Sequence, residues 1–147
     1  MAYSADTDLL KEMSESELAR LTGDSTGEEI NTDRTAYART NADALIDSYL
    51  FGRFNVPFTG TIDPIIQKIS VDLTVSNLYD YAYGRSSVPS TLVWRKINAV
   101  KLLKDIQAGM VALTSADNDS QLPPPIISNK NANDRFFNDE LMDQFES

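Results

Sequence analysis

The sequence predicts an all-α fold, a small bundle of about four or five helices followed by an extended C-terminal arm. Helix-start signals recur through the first 114 residues, with Ser14 and Glu17 at capping-box spacing and Asp63 directly ahead of Pro64. Apolar residues return every three or four positions in the segments that follow those signals. After Leu113 the composition turns to Asn, Asp, Ser and Pro, which cannot fill a core. The division is therefore a helical domain over 1–114 and an arm over 115–147.

The first element is a short helix, or a broken pair, from Thr7 to Leu21, with Asp6 or Thr7 as N-cap and a stop at Gly23. A polar loop from Thr22 to Asp33 follows. The second helix runs from Asp33 to near Gly52, with Ala38, Ala42, Leu45 and Tyr49 on one face and Tyr37 and Ile46 beside them. It leads into YLFGRFNVPF, residues 49–58, which reads either as a knot of core aromatics at an elbow or as a sticky patch for a partner. On the residues alone both readings stand.

Pro64 opens a third long helix whose apolar residues, from Ile65 to Leu78, go most of the way round, as expected of a helix covered on several sides. Asp72 interrupts it. It either faces solvent or is paired, and Arg53, just past the second helix, is the predicted partner. Tyr79, Tyr81 and Tyr83 alternate and cannot share one helix face, so some are peripheral. The last helix has Ser90 as its predicted cap. Val93, Ile97, Val100 and Leu103 form its predicted face, and Gly109 ends it. In the arm, Phe136, Phe137, Leu141, Met142 and Phe145 form an apolar cluster with the spacing of a short helix from Phe137 on.

Composition narrows the chemistry. The chain has no Cys and no His, which removes disulfides, thiolate metal sites, the usual near-neutral acid–base group and the common nucleophile pairs. Its 13 basic against 22 acidic side chains give a formal charge of −9, which repels phosphate backbones and anionic membranes. Residues 115–147 hold seven acids and two bases, over half of that excess. The N-terminal stretch lacks a basic-then-apolar signal pattern and no apolar run reaches a membrane span, so a soluble cytoplasmic protein is expected.

Two acidic groupings invite a metal reading. Aligned as a calcium loop with Gly27 at the sixth position, the Thr22–Asp33 segment puts too few carboxylates on ligand positions, and a solvated loop is the better reading. Asp43 and Asp47 stand at i, i+4 but lack a second pair, so they are read as an exposed helix face. No phosphate loop is present. Catalytic residues, cofactors and metals are none on this reading.

Several stretches together resemble the small head–tail connector (adaptor) proteins of Mu-like phages and prophages. These are Tyr3, Ser4, Asp8 and Leu9 near the start, ELARLTG with its acidic loop, and ALIDSYLFGRFNVPF. The helix entered by Pro64 with Asp72 inside it and the late RFFNDELMDQF complete the set. IDSYLFGRFNVPF, residues 46–58, is the most specific of them, with Phe54 and Phe58 in place of the family's Tyr and Leu. The stretch Ser86–Trp94 departs from the pattern.

The resemblance implies a helical, non-catalytic protomer that joins a homo-oligomeric ring beneath the portal protein, extends the DNA channel and docks the tail-side neck proteins. It also implies a place in the virion neck after assembly and in the host cytoplasm before it. For residues 49–58 the resemblance favours the knot over the sticky patch. DNA would pass nearby without specific binding, and no membrane is involved. On this reading Phe136, Phe137, Leu141, Met142 and Phe145 are the partner and oligomer contacts. Asp24, Glu28, Glu29 and Asp33 either line the channel or face bulk solvent outside the ring. The alternative is a small acidic regulatory module, such as a DNA mimic, which would need carboxylates spaced like phosphates over one face. A metal-dependent enzyme is the least supported class, given the missing histidines.

Overall fold

Helix α4, Pro64–Tyr83, touches each of the other four helices, and every residue from Ile69 to Ser76 on it is buried. The computed structural model describes residues 2–24, 26–84 and 89–114, and among them five helices and no strand are found. Around α4 lie α1 (Asp6–Glu12), α2 (Glu15–Thr22), α3 (Thr32–Leu50) and α5 (Ser90–Ala108). The predicted all-α bundle is what forms. The apolar residues encircling α4 supply two cores. Ile66, Ile69 and Leu73 meet Ile46, Leu50, Phe58, Leu103 and Ile106 in one. Val71, Val75 and Leu78 meet Leu9, Leu18 and Leu21 in the other.

The strong start and stop signals act as expected. The Asp63 carboxylate accepts the Ile65 N–H at 2.9 Å with Pro64 in the first turn. Ser14 Oγ accepts the Glu17 N–H at 3.2 Å, and Gly23 closes α2 in the left-handed region at φ 108°. The first segment is a broken pair, split where Met13 turns extended at φ −145°. Its N-cap is Ala5, one residue before the expected Asp6 or Thr7. Ala5 has no side-chain acceptor to offer the first-turn amides, and the Asp8 carboxylate instead reaches back to take the Ala5 N–H at 2.9 Å. Asn31 caps α3 through the Arg34 N–H at 3.1 Å.

Helix α5 differs from expectation at both its cap and its face. Its N-cap is Pro89, which offers no side-chain acceptor, and Ser90 is already helical. The buried residues are Ala99, Leu103 and Ile106, while Val93 and Ile97 are exposed. Helix α4 is covered from all sides along Ile69–Ser76, but α5 lies at the edge of the bundle and needs only one apolar face. That face is rotated away from the predicted one.

The elbow after α3 buries Phe54 and Phe58, whose rings meet edge-on at 6.0 Å, and exposes Phe51. The core knot is therefore made by two of the three phenylalanines. The predicted Arg53–Asp72 pair is not formed. Arg53 donates to the Gln107 carbonyl at 2.9 Å and lies against Gly109, where an added Cβ would come within 2.6 Å of its guanidinium. It thus serves the carbonyl end of α5, where a cation offsets the helix dipole and satisfies an otherwise orphaned acceptor. Asp72 is paired on its own side of α4. Lys68 Nζ lies 2.6 Å from one oxygen and Arg95 Nε 3.6 Å from the other, the latter a charge contact too long for a hydrogen bond.

Thr114, the last described residue, is tied to the start of α4. The second Asp63 oxygen accepts the Thr114 N–H at 2.6 Å and the Thr114 hydroxyl at 2.8 Å. Val111 and Leu113 pack on the core just before it.

These pairings set the expected outcome of double-mutant cycles read by urea unfolding. Asp72 with Lys68 should couple by about 0.5 kcal/mol, since the lysine is largely exposed. Asp72 with Arg53 should couple by nothing measurable. A coupling above about 1 kcal/mol in the second cycle would contradict the geometry.

Candidate functional site

Among the described residues no group of three or more Asp or Glu is placed to hold a metal ion, and no helix is long and apolar enough to cross a membrane. The features left to consider are polar networks and exposed surfaces.

The most organised polar cluster is internal. Asp43 is buried on α3, not part of an exposed face as its spacing with Asp47 suggested. One oxygen accepts the Tyr3 N–H at 3.1 Å and the other accepts the Ser70 hydroxyl from α4 at 2.7 Å. Because the Ser70 proton is engaged there, Ser4 is the donor in its 2.9 Å contact with Ser70. The Tyr3 hydroxyl donates to Asp47 and accepts the buried Phe58 N–H at 3.0 Å. The Tyr3 ring packs on Phe58 with centroids 5.6 Å apart. The N-terminal segment, α3, α4 and the elbow are thereby held in one network.

Burial pushes the Asp43 carboxyl up from 3.8, Asp47 adds to that, and the Ser70, Tyr3 and Arg39 groups oppose it. Burial, then the hydrogen bond to Asp47, raises the Tyr3 phenol. This network is a clasp, its polar groups matched to one another inside the fold.

The acidic loop is organised by one of its own acids. Asp24 accepts backbone N–H groups from Thr26 at 2.9 Å and from Glu28 and Glu29 at 2.8 Å, together with the Thr26 hydroxyl. The Glu29 and Thr26 amides hold its carboxyl far below the usual range. Of the four acids proposed for a channel wall, Asp24 is thus turned onto the loop, while Glu28, Glu29 and Asp33 face outward. Arg34 braces the loop from α3 by donating to the Thr22 carbonyl at 2.9 Å.

Two exposed aromatic or apolar surfaces remain. Near the C-terminal end of α4, Tyr81 lies under the Arg34 guanidinium at 4.5 Å with Tyr37 beside the same groove. Tyr79 and Tyr83 stack at 5.9 Å, and the Tyr79 hydroxyl donates to Glu17. Burial and Glu17 push the Tyr79 phenol up to about 12. On the outer side of α5, Val93, Trp94 and Ile97 are 45%, 63% and 50% exposed, a continuous apolar strip on one helix. The predicted contact residues Phe136, Phe137, Leu141, Met142 and Phe145 lie outside the described residues.

Sequence reasoning missed the clasp. Tyr3 and Ser4 stood out as part of a resemblance, but nothing in the spacing joins Tyr3 to a carboxylate 40 residues away. Val93 and Ile97 of the α5 strip were visible in the sequence as members of a periodic apolar face with Val100 and Leu103, and Trp94 was not placed on it.

Two outcomes follow for the clasp. Tyr3→Phe leaves the buried Phe58 N–H without an acceptor and should cost on the order of 1–3 kcal/mol in urea unfolding. Because the folded Asp43 binds its proton more tightly than the unfolded one, that contribution is complete below about pH 4 and is lost as pH rises through the raised pKa. The Tm of the wild type relative to Asp43→Asn should therefore fall as pH increases from about 4. A difference that grows with pH would reverse the assignment.

The family model described as "Bacteriophage Mu, Gp36" matches residues 3–126 of this chain, which includes the clasp, the acidic loop, the elbow and all five helices. No curated protein matches it.

Proposed function

The chain belongs to the bacteriophage Mu Gp36 family, and on that premise we propose that this phage protein is a head–tail connector. In this reading copies of it form a ring beneath the portal of a filled head, extend the DNA channel and present a docking surface to tail-side neck proteins. Its role is structural and not catalytic. It acts in the host cytoplasm before assembly and in the virion neck afterwards.

The observation that carries the reading is the distribution of surface. The bundle closes its own interior, with the Tyr3–Asp43 clasp sealing α3 to α4, yet among the described residues nothing covers the apolar strips on α5 and around Tyr37 and Tyr81. Exposed apolar patches of this kind are what an assembling subunit needs, and they are a liability for a protein that works alone. The outward acids Glu28, Glu29 and Asp33 fit a channel rim. Repeated around a ring they would form a negative collar that keeps a sliding duplex from sticking.

Incubation with DNA-filled heads that carry portal but lack this protein is the direct test. The protein should add only at the portal vertex, as a ring visible by electron microscopy, and should render the heads competent for tails. Equal binding to portal-free shells would overturn the proposal. The free protein should bind double-stranded DNA no more tightly than about 1 mM at physiological salt, weaker than ordinary non-specific binders.

A further inference from the structure

The outer strip of α5 continues past its apolar half into two cations. Val93, Trp94, Ile97, Lys101 and Lys104 fall within an arc of roughly 100° on the helix, opposite the buried Ala99, Leu103 and Ile106. All five are exposed, and neither lysine takes part in an ion pair among the described residues. The other two basic residues of α5 are engaged, Arg95 with Glu12 and Asp72 and Lys96 with Asp80. The strip therefore offers an apolar patch followed by unpaired positive charge. A partner for it needs apolar side chains gathered on one helix face with an acid at the edge of that face.

One segment of the same chain has that pattern. Phe137, Leu141 and Phe145 stand at i, i+4, i+8 and Glu140 borders that row, while Asp139 and Asp143 fall on the opposite side of a helix. We propose that residues 136–145 dock on the α5 strip of their own molecule before any other partner is present. The aromatic and Leu side chains cover Val93, Trp94 and Ile97, and Glu140, at the edge of that face, is the acid placed to meet Lys101 or Lys104. This is helix-in-groove recognition with a charged rim.

The tether permits it. Thr114 is pinned at Asp63, and residues 115–135 provide 21 residues of connection. From Ile97 to Gly109 is about 18 Å of helix, and the five residues to Thr114 add at most about 18 Å. The connection can span on the order of 70 Å when extended, so the strip lies well inside its reach. A tethered segment acts at an effective concentration near millimolar, far above that of any second copy in dilute solution. The inference does not depend on the connector assignment, because it concerns the isolated chain alone.

Trp94 is the only tryptophan, so its fluorescence in the full-length protein reads the strip directly. In the wild type, Trp94 should emit at shorter wavelength than a solvated indole and resist acrylamide quenching. The double substitution Phe137→Ser and Leu141→Ser should shift the emission to the red and raise the quenching constant several-fold, with the helical circular dichroism falling by no more than the roughly ten docked residues contribute. Ile97→Ser, on the strip itself, should give the same change, and high salt should give part of it by screening the lysines. Equal quenching in wild type and the double variant would overturn the proposal. So would shielding that appears only as protein concentration rises, which would place the segment on a second copy.

Discussion

A carboxylate inside a helical core has to be met by donors, and the way Asp43 is met determines how the bundle closes. Its two oxygens are reached from opposite directions, by the backbone of Tyr3 and by the Ser70 hydroxyl on α4. Neither donor could be withdrawn without leaving buried polar atoms unmatched, at a cost comparable to a large share of a small domain's stability. The first residues of the chain, which in most domains are loosely held, are here part of the interior. Tyr3 then extends the constraint by accepting the Phe58 N–H, so the elbow takes its shape from the same network.

What the sequence revealed follows the range of the interactions. Features settled within a turn or two were legible, including the Ser14 and Asp63 caps, the Gly23 and Gly109 stops and the burial of α4 on several sides. Features settled across the fold were not. The i, i+4 spacing of Asp43 and Asp47 is compatible with a solvated face, and only the approach of the N-terminal segment makes it an interior one. Arg53 and Asp72 suggested each other as the conspicuous charges near a core. A helix terminus and a neighbouring lysine were nearer to each.

The candidate surfaces were legible to a lesser degree. A periodic apolar row such as Val93–Ile97–Val100–Leu103 states that a helix has a sticky side without saying whether its own bundle covers it. That depends on how many neighbours the helix has, and α5, at the edge, has fewer than its apolar residues could serve. The acidic loop shows the opposite limit. Four acids close in sequence look alike, yet Asp24 directs its charge at three backbone amides while the others do not.

Asp63 performs two tasks with its two oxygens, opening α4 with one and holding Thr114 with the other. Thr114 and the start of the helix that all the others touch are therefore held by a single carboxylate. A change at Asp63 would be felt at both places at once, at the first turn of α4 and at the segment after α5.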